Sequence, residues 1–275
     1  MRDAREKEMT VSSLHIYPVK SCKGITLSKM EIGPKGPVDD RRWMFVDDTG
    51  RFLSQRQHPK MCFIEAELQS AQLIIRSKRL PPLIVKRGKK ENQKMRQVTI
   101  WKDSLEVYDM GNNATEWASD FFGFPAHLVF IPEDIHRKID PQYALKDTDE
   151  VSFTDGYPVL IISEASLGDL NLRLENPVPM NRFRPSIVIS GCEAYEEDQW
   201  SRIRIGSVVF SCVKKCSRCV LTTVDQATGI ADEKGEPLVT LSRYRKTDKG
   251  ILFGQNAIPE GVGSISMNAE VVILQ

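Results

Sequence analysis

Short apolar runs separated by turn residues fill the first 110 positions of the chain. Residues 11–19 alternate in part and close at Pro18, a residue typical of a strand edge. Two apolar runs flank residues 47–50, where Gly50 tolerates a positive φ, and this pattern predicts a hairpin. Further strands are predicted at residues 61–68, 72–75, 98–101 and 105–108. Strands at this spacing indicate a barrel or a sandwich.

Helical patterns are fewer than strand patterns. A helix is predicted from Asn113, a candidate N-cap, to Gly123, a candidate C-cap. Residues 163–175 carry leucines at helical spacing, and residues 237–244 suggest a short third helix.

The second half of the chain adds more strands. They are predicted at residues 158–162, 186–190, 203–213 (a hairpin turning at Gly206), 220–224, 252–258 and 270–274. No regular alternation of strand and helix appears, and no glycine-rich dinucleotide or phosphate loop follows a strand. The chain is therefore predicted to be mostly β with some helix, an α+β protein. The polar, proline-bearing residues 132–150 are interpreted as a connection between two domains or as an ordered loop.

Composition narrows the class of protein. The 275 residues carry a net charge of +1 with 41% hydrophobic residues, so we expect no dedicated nucleic-acid binder, which would be strongly basic. Apolar runs are too short for a membrane span, and the N-terminus lacks the apolar core of a signal peptide. A cytoplasmic location is predicted, and the six cysteines are expected to be thiols.

One strongly basic stretch departs from this neutral balance. Residues 76–96 carry nine basic residues and one acid. A solvated hairpin loop explains the pattern, and a docking patch for an acidic partner is the alternative.

The most reactive-looking motif holds Cys216 and Cys219 between Lys214, Lys215 and Arg218. Neighbouring cations favour the thiolate, which is the form that binds metal or attacks. Four interpretations compete: half of a zinc site, a thioredoxin-like dithiol, inert buried thiols, or one thiolate ligand of a metal cofactor. The spacing does not choose between the two cysteines.

Four other motifs could bind anions or flat rings, although each also fits a solvated strand end, a surface ion-pair cluster or an ordinary turn. Lys, Ser and Arg offer charged and bidentate donors for phosphate. The motifs are Lys20-Ser21 near Gly24, residues 39–43 with 54–57, residues 153–158 with 163–166, and residues 181–186.

Together these motifs resemble a known family. In order, the chain reads YPVKSCKG, DRRW, SQRQ, FTDGYP, SEASL, NRFRP, CSRCVLTTVD and FGQN. This order resembles the MOSC proteins, named for the C-terminal domain of molybdenum cofactor sulfurase. Among these it is most similar to the mitochondrial amidoxime reducing component and its bacterial relatives, over residues 11–275.

The resemblance implies an architecture. A MOSC N-terminal β-barrel-like domain at residues 10–131 would pack on a β-barrel MOSC domain at residues 132–275, with the first and last strands able to cross between them. The molybdenum cofactor (Mo-molybdopterin), a pterin dithiolene with a phosphate, would lie between the domains.

The resemblance also implies roles for individual residues. Cys219 would be the catalytic residue and the molybdenum ligand, with Ser217 and Arg218 beside the metal. The remaining cofactor-binding positions would contact the phosphate and the pterin: Lys20, Ser21, Arg41, Asp155, Gly156, Tyr157, Asn181, Arg184 and Asn256.

The implied activity is the reduction of N-hydroxylated compounds (amidoximes, hydroxylamines and N-hydroxylated bases) by oxygen-atom abstraction at molybdenum. The chain holds no ferredoxin-type cysteine run, so we expect a separate electron donor of the flavin reductase, ferredoxin or cytochrome b5 type. Two other functions stay open: a sulfur carrier or sulfurtransferase using Cys216 or Cys219, and a non-catalytic carrier of the cofactor.

Overall fold

The computed structural model of the protein describes residues 8–88 and 93–275. Within them the chain is mostly β-strand with three α-helices, which confirms the predicted fold class. The helices are α1 (Asn112–Phe122), α2 (Glu164–Leu172) and α3 (Leu238–Arg245). The strands are β1 (Thr10–Ile16), β2 (Ile25–Leu27), β3 (Lys29–Gly33), β4 (Gly36–Pro37), β5 (Trp43–Asp47), β6 (Glu65–Leu68), β7 (Gln72–Arg76), β8 (Leu83–Lys86), β9 (Met95–Ile100), β10 (Asp103–Asp109), β11 (Ala126–Phe130), β12 (Val159–Ser163), β13 (Ile187–Ser190), β14 (Arg202–Ile205), β15 (Val208–Ser217), β16 (Lys246–Thr247), β17 (Gly250–Pro259), β18 (Gly263–Ser266) and β19 (Val271–Ile273).

The largest sheet has the strand order β19-β14-β15-β17-β12-β13-β1-β2, and β16 pairs with one end of β17. Strands β12 and β13 are parallel, and parallel neighbours need a long crossover, which here contains α2. Three smaller sheets have the orders β5-β11-β10-β9, β18-β3-β4 and β6-β7-β8.

The two halves of the chain are interlocked by their strands. Strand β1 pairs with β13, with Leu14 opposite Ile187. Strand β3 pairs with β18, with Met30 opposite Ile265. Strands from the first forty residues therefore belong to the same sheets as strands from the last ninety.

Two apolar cores support this arrangement. The first lies around Phe45 of β5, whose ring is 6.1 Å from Trp117 and 5.4 Å from Phe122, both on α1. The second is built from β1, β12, β13 and their neighbours in the largest sheet. Leu68 of β6 packs against both cores, so apolar contact runs continuously from one half of the molecule to the other.

Local structure differs from the sequence prediction in four places. Helix α1 has Gly111 as its N-cap, so the predicted cap Asn113 lies inside the helix. Residues 220–224, predicted as a strand, form a short 3₁₀ helix at Val220–Thr223. The predicted strand at 61–68 begins only at β6, after a 3₁₀ turn at Pro59–Phe63. The basic stretch 76–96 is not one loop, because its apolar centre forms β8 and pairs with β7; residues 89–92 of that stretch lie outside the described residues.

Residues 132–150 are an ordered connection. The buried Lys35 donates hydrogen bonds to the carbonyls of Glu133 (2.9 Å) and Ile135 (2.7 Å). Arg137, also buried, donates to the carbonyls of Ser152 (3.0 Å) and Thr154 (2.6 Å). The connection is therefore fastened to both halves, and it holds the segment that begins at Ser152. No helix in the described ranges is long and apolar enough to cross a membrane.

Candidate functional site

A polar cavity of about 310 Å³ lies where the two halves meet. Its walls carry seven Lys or Arg side chains and one carboxylate, so it is strongly electropositive. The predicted site residues that line it are Lys20, Ser21, Arg41, Asp155, Gly156, Tyr157, Arg184, Ser217, Arg218, Cys219 and Asn256. The folded chain thus brings together residues that are up to 236 positions apart in sequence.

Asn181 is the predicted site residue that the fold leaves out of this set. It is exposed in the 3₁₀ turn Met180–Arg182, and it is not among the residues lining the cavity. The next residue, Arg182, is buried and donates to the carbonyl of Thr223 (2.6 Å) and to Asp225 (2.9 Å). Arg182 therefore stabilises the 3₁₀ helix that follows Cys219.

Lys20 and Ser21 occupy a tight turn directly after β1. The Cys22 amide donates to the Val19 carbonyl (3.1 Å), which closes the turn. Ser21 has φ +63°, and the buried Gln55 donates to its carbonyl (2.8 Å). The turn presents both side chains to the cavity.

Lys20 and Asp155 form an ion pair on the cavity wall. The Lys20 ammonium donates to Asp155 and to the carbonyl of Phe153 (2.8 Å). Burial lowers the pKa of Lys20 to about 8, although the Asp155 charge opposes this shift. The protein around Asp155 disfavours its charge, but Lys20, Arg56 and a hydrogen bond from Trp101 outweigh this and hold the pKa of Asp155 well below its usual value. At neutral pH the pair is ionised.

The guanidinium groups of two arginines, Arg41 and Arg184, both lie against the ring of Tyr17. The Arg41 guanidinium lies 4.4 Å from the centre of the Tyr17 ring, and the Arg184 guanidinium lies 4.0 Å from it. Burial raises the pKa of Tyr17 to about 12 and lowers the pKa of Arg184 to about 10. Tyr17 therefore stays neutral while it orients two cations toward one space.

Three residues of the cavity wall have a backbone conformation that is unusual for residues other than glycine. Ser21, Arg41 and Arg184 have φ values of +63°, +47° and +55°. A non-glycine residue in this region costs roughly 1–2 kcal/mol, and such residues cluster at ligand sites. All three line one cavity, which makes it a candidate binding site.

The cysteines divide by burial. Four of the six are held as thiols because burial raises their pKa, to about 11 for Cys192 and about 12 for Cys212, with Cys22 and Cys62 shifted in the same direction. Cys216 and Cys219 line the cavity, and only Cys219 is exposed.

Cys219 stands at the end of a strand-to-helix junction. It directly precedes the 3₁₀ helix Val220–Thr223, and Arg56 approaches its sulfur with an Nη1–Sγ distance of 3.7 Å. Cys216 is still within β15 and accepts from Arg218 Nη1 at 3.0 Å. A thioredoxin-like dithiol would open an α-helix at its first cysteine, and Cys216 does not.

The bulged pairing of β15 with β17 sets the path of the cysteine segment. Register shifts fall between Cys212 and Lys214 and between Lys215 and Ser217, and bulges re-aim side chains. Gly250, with φ +108°, lies so close that an added Cβ would come within 2.2 Å of Ser217 Oγ. Only glycine fits there without moving Ser217.

Unpaired polar atoms face the same region. Thr154 Oγ1, Arg184 Nη2 and Arg218 Nε are buried and have no hydrogen-bond partner in the described protein. Buried donors without partners cost free energy, and an anionic ligand would satisfy them. An exposed thiol, several cations and unsatisfied donors together fit an anionic, phosphate-bearing metal cofactor.

Sequence reasoning noted some contributors without assigning them a role. Arg56 belongs to the SQRQ motif and Tyr17 to the YPVKSCKG motif, and the motifs alone assign neither residue to the site. The structure explains Arg56, which follows the buried Gln55, whose side chain donates to the Ser21 carbonyl. Tyr17 lies behind the arginines, outside the cavity lining, so its role needed the folded geometry.

Comparison with known proteins shows the family of this chain. Residues 8–125 match the model of the MOSC N-terminal beta barrel domain, and residues 148–272 match the MOSC domain. The chain belongs to the MOSC family. This confirms the resemblance found in the motifs, while a boundary at residues 131/132 stays a prediction, since it falls between the two matches.

Curated relatives in this family are amidoxime reducing components. Mitochondrial amidoxime reducing component 2 of Rattus norvegicus is 36% identical over 279 residues, covering 95% of this chain and 82% of the rat protein. Mitochondrial amidoxime-reducing component 1 of Homo sapiens is 35% identical, covering 96% and 83%. The crystal structure of the YUAD protein from Bacillus subtilis aligns over 96% of this chain and 93% of its own, at 11% identity and a TM-score of 0.42, too slight a likeness for any inference.

Proposed function

We propose that this MOSC protein binds a molybdenum cofactor in the cavity and reduces N-hydroxylated compounds there. The observation that carries the proposal is the exposed Cys219 thiol in a cavity walled by seven cations. The relatives' names supply the reaction class, because they are amidoxime reducing components.

The cavity residues divide into two groups by the part of the cofactor they would hold. Lys20, Arg41 and Arg184 would bind the phosphate and the pterin edge, since guanidinium and ammonium groups match phosphate oxygens. Cys219 would be the metal ligand, because a soft thiolate suits molybdenum. Arg218, with its unsatisfied Nε, would donate to the cofactor near Cys219.

When bound, the cofactor would supply the two-electron chemistry, while the protein binds and orients it. Reduction of an N–OH group to N–H consumes two electrons and two protons and releases one water. The protein's own contribution is position and charge. Asp155, 64% exposed and ionised, lies beside the cavity and can accept a hydrogen bond from a substrate N–H.

Electrons would come from a separate protein of the flavin reductase, ferredoxin or cytochrome b5 type. The basic stretch remains one predicted docking place for an acidic donor. Several of its cations are already paired, Arg76 with Glu67, Arg87 with Asp39 and Arg96 with Asp109. Among the described residues of the stretch, such an interaction would therefore fall to the other cations, Lys78, Arg79, Lys86 and Lys94. A cytoplasmic location also stays a prediction, since the relatives are named as mitochondrial.

The proposal is tested by replacing each cavity cysteine alone. We expect purified wild-type protein to contain about one molybdenum per chain and to reduce benzamidoxime with reduced viologen as donor. Cys219→Ala should lose both the metal and at least about 99% of the activity, because the metal loses its protein ligand. Cys216→Ala should keep the metal, and Cys192→Ala, outside the cavity, is the control for thiol loss.

Other outcomes assign a different function. Molybdenum and full N-reduction in Cys219→Ala would overturn the ligand assignment. A persulfide on Cys216 or Cys219 in metal-free protein would favour sulfur transfer. Bound cofactor with no turnover, when a competent donor is present, would favour a carrier.

A further inference from the structure

Trp101 is an exposed aromatic residue in a strained turn. It occupies the first position of the two-residue loop between β9 and β10, where Asp103 pairs with Ile100. Its φ is +55°, a conformation in which glycine is strongly preferred in such loops. Its side chain is nevertheless 48% exposed. A large apolar ring that is both strained and exposed is costly for folding alone, which points to a function.

The ring is held in one orientation. Its Nε1 donates to Asp155 Oδ1 at 3.1 Å. The Phe52 ring lies 5.1 Å away and tilted by 54°, and the Arg56 guanidinium lies 4.4 Å from the indole centre. Three contacts on the protein side leave the remaining surface of the indole open to solvent, so Trp101 is a fixed platform.

The platform stands beside the proposed reaction centre. Arg56 contacts both Trp101 and the Cys219 sulfur, the latter at 3.7 Å. Asp155, which accepts from Trp101, also lines the cavity. A substrate with its N–OH group near Cys219 would therefore carry its body across Trp101.

We propose that Trp101 is a specificity-determining residue that stacks the flat aryl body of an N-hydroxylated substrate. This inference rests on the proposed function and adds to it one residue that selects the planar aryl members of that substrate class. Asp155 would bind an N–H of the amidoxime group while the indole covers the ring. Aliphatic substrates of equal reactivity would gain only the first of these contacts.

Stacking predicts a selective kinetic effect. An aromatic pair contributes about 0.5–1.5 kcal/mol, which is roughly a 2- to 12-fold change in affinity. Trp101→Ala should raise KM for benzamidoxime by roughly that factor and leave kcat nearly unchanged, because the ring binds ground state and transition state alike. KM for acetamidoxime should rise less, because that substrate loses only the support that the Trp101 hydrogen bond gives to Asp155. Trp101→Phe should retain most of the aryl preference.

The matched control is Lys102→Ala, a change in the same loop at a side chain that is 80% exposed. It should leave KM for both substrates unchanged.

A role of Trp101 in docking the electron donor is tested with two donors, reduced viologen and any competent protein donor. If Trp101→Ala raises KM for the protein donor and leaves the benzamidoxime KM unchanged, the stacking proposal is overturned.

A binding readout needs no turnover. Of the four tryptophans, Trp43, Trp117 and Trp200 are buried, so a ligand at the cavity mouth should quench Trp101 selectively. Benzamidine, the reduced product of benzamidoxime, should quench wild-type fluorescence and leave Trp101→Phe unchanged, whereas acetamidine should quench neither. Equal quenching in both proteins would reject the stacking contact. If the wild type turned over no N-hydroxylated compound at all, the proposed function itself would fail, independently of this result.

Discussion

The buried Lys20 is the residue whose charge depends most on its surroundings. It is 5% exposed, and its partners are one carboxylate and one carbonyl. Burial holds its pKa at about 8 instead of 10.5. At neutral pH this lysine is charged, and the burial of that charge destabilises the folded state. An anion bound beside it would raise its pKa.

This cost makes stability depend on pH. Between pH 8 and 10.5 the unfolded chain binds more protons at this residue than the folded chain, so the free energy of unfolding rises with pH in that window. In cofactor-free protein, wild type should gain on the order of 3 kcal/mol relative to Lys20→Met from pH 8 to 10.5. Urea denaturation at several pH values measures the difference.

The control for this experiment is Lys102→Met, which changes an exposed lysine and should give a curve parallel to wild type. Parallel curves for wild type and Lys20→Met would show instead that Lys20 titrates normally in the folded chain. The comparison uses differences between variants because other groups also titrate above pH 8.

Sequence motifs identified cavity-lining residues where a motif lies next to a strand boundary. Lys20 and Ser21 come after β1, Cys219 comes after β15, and Asp155 and Gly156 come before β12; connecting segments of this kind often carry function. Prediction was weaker inside a motif with several polar side chains, because Asn181 and Arg182 differ only in which one turns inward. The burial of Arg182 depends on carbonyl groups forty residues away, and sequence spacing does not report those.

At the scale of elements, the cysteine segment depends on the strand behind it. Strand β17 begins at Gly250, whose missing side chain leaves room for Ser217. The final residues of β15, including the segment before Cys219, are therefore placed by a contact from a neighbouring strand.

Gly250→Ala should disturb this contact. The alanine would have to adopt φ +108°, and its Cβ would have to displace Ser217. We therefore expect the free energy of unfolding to fall by about 1–3 kcal/mol. The molybdenum content should fall as well. Gly261→Ala is the matched control, because a Cβ there meets no atom within 4 Å, and it should change stability by less than about 0.5 kcal/mol. Thermal denaturation and metal analysis give both readouts, and wild-type values for Gly250→Ala would refute the argument.

Strands with clear turns at both ends were predictable. The hairpin of β14 and β15 turns at Gly206 as expected, and α2 begins after its predicted cap, Ser163, whose side chain accepts from the Ser166 amide at 3.0 Å. Residues 220–224 look like a strand because Val and Thr favour extended backbone. Tertiary contacts outweigh that preference here, since Arg182 binds the Thr223 carbonyl.

At the scale of the whole molecule, the two halves share their sheets. Strand β1 fills the position between β2 and β13. The isolated second half would expose the edge of β13, with the buried Ile187 and Ile189 beside it. Exposed apolar edges favour aggregation over folding.

Neither half should fold alone if the chain is divided at the predicted boundary. We expect fragments 1–131 and 132–275 to show no cooperative thermal transition when expressed separately, and their mixture to recover one. Circular dichroism during heating measures this. A cooperative transition in fragment 132–275 by itself would contradict the interlocked arrangement.

The placement of β1 also constrains how the protein is made. Residues 10–16 leave the ribosome early, yet their partner β13 (Ile187–Ser190) is synthesised more than 170 residues later. Contacts so distant in sequence form slowly and late. The cavity walls extend to Asn256, so the cavity is complete only after that residue has been synthesised. Insertion of a cofactor would therefore follow the synthesis of both halves and meet a cavity that is already assembled.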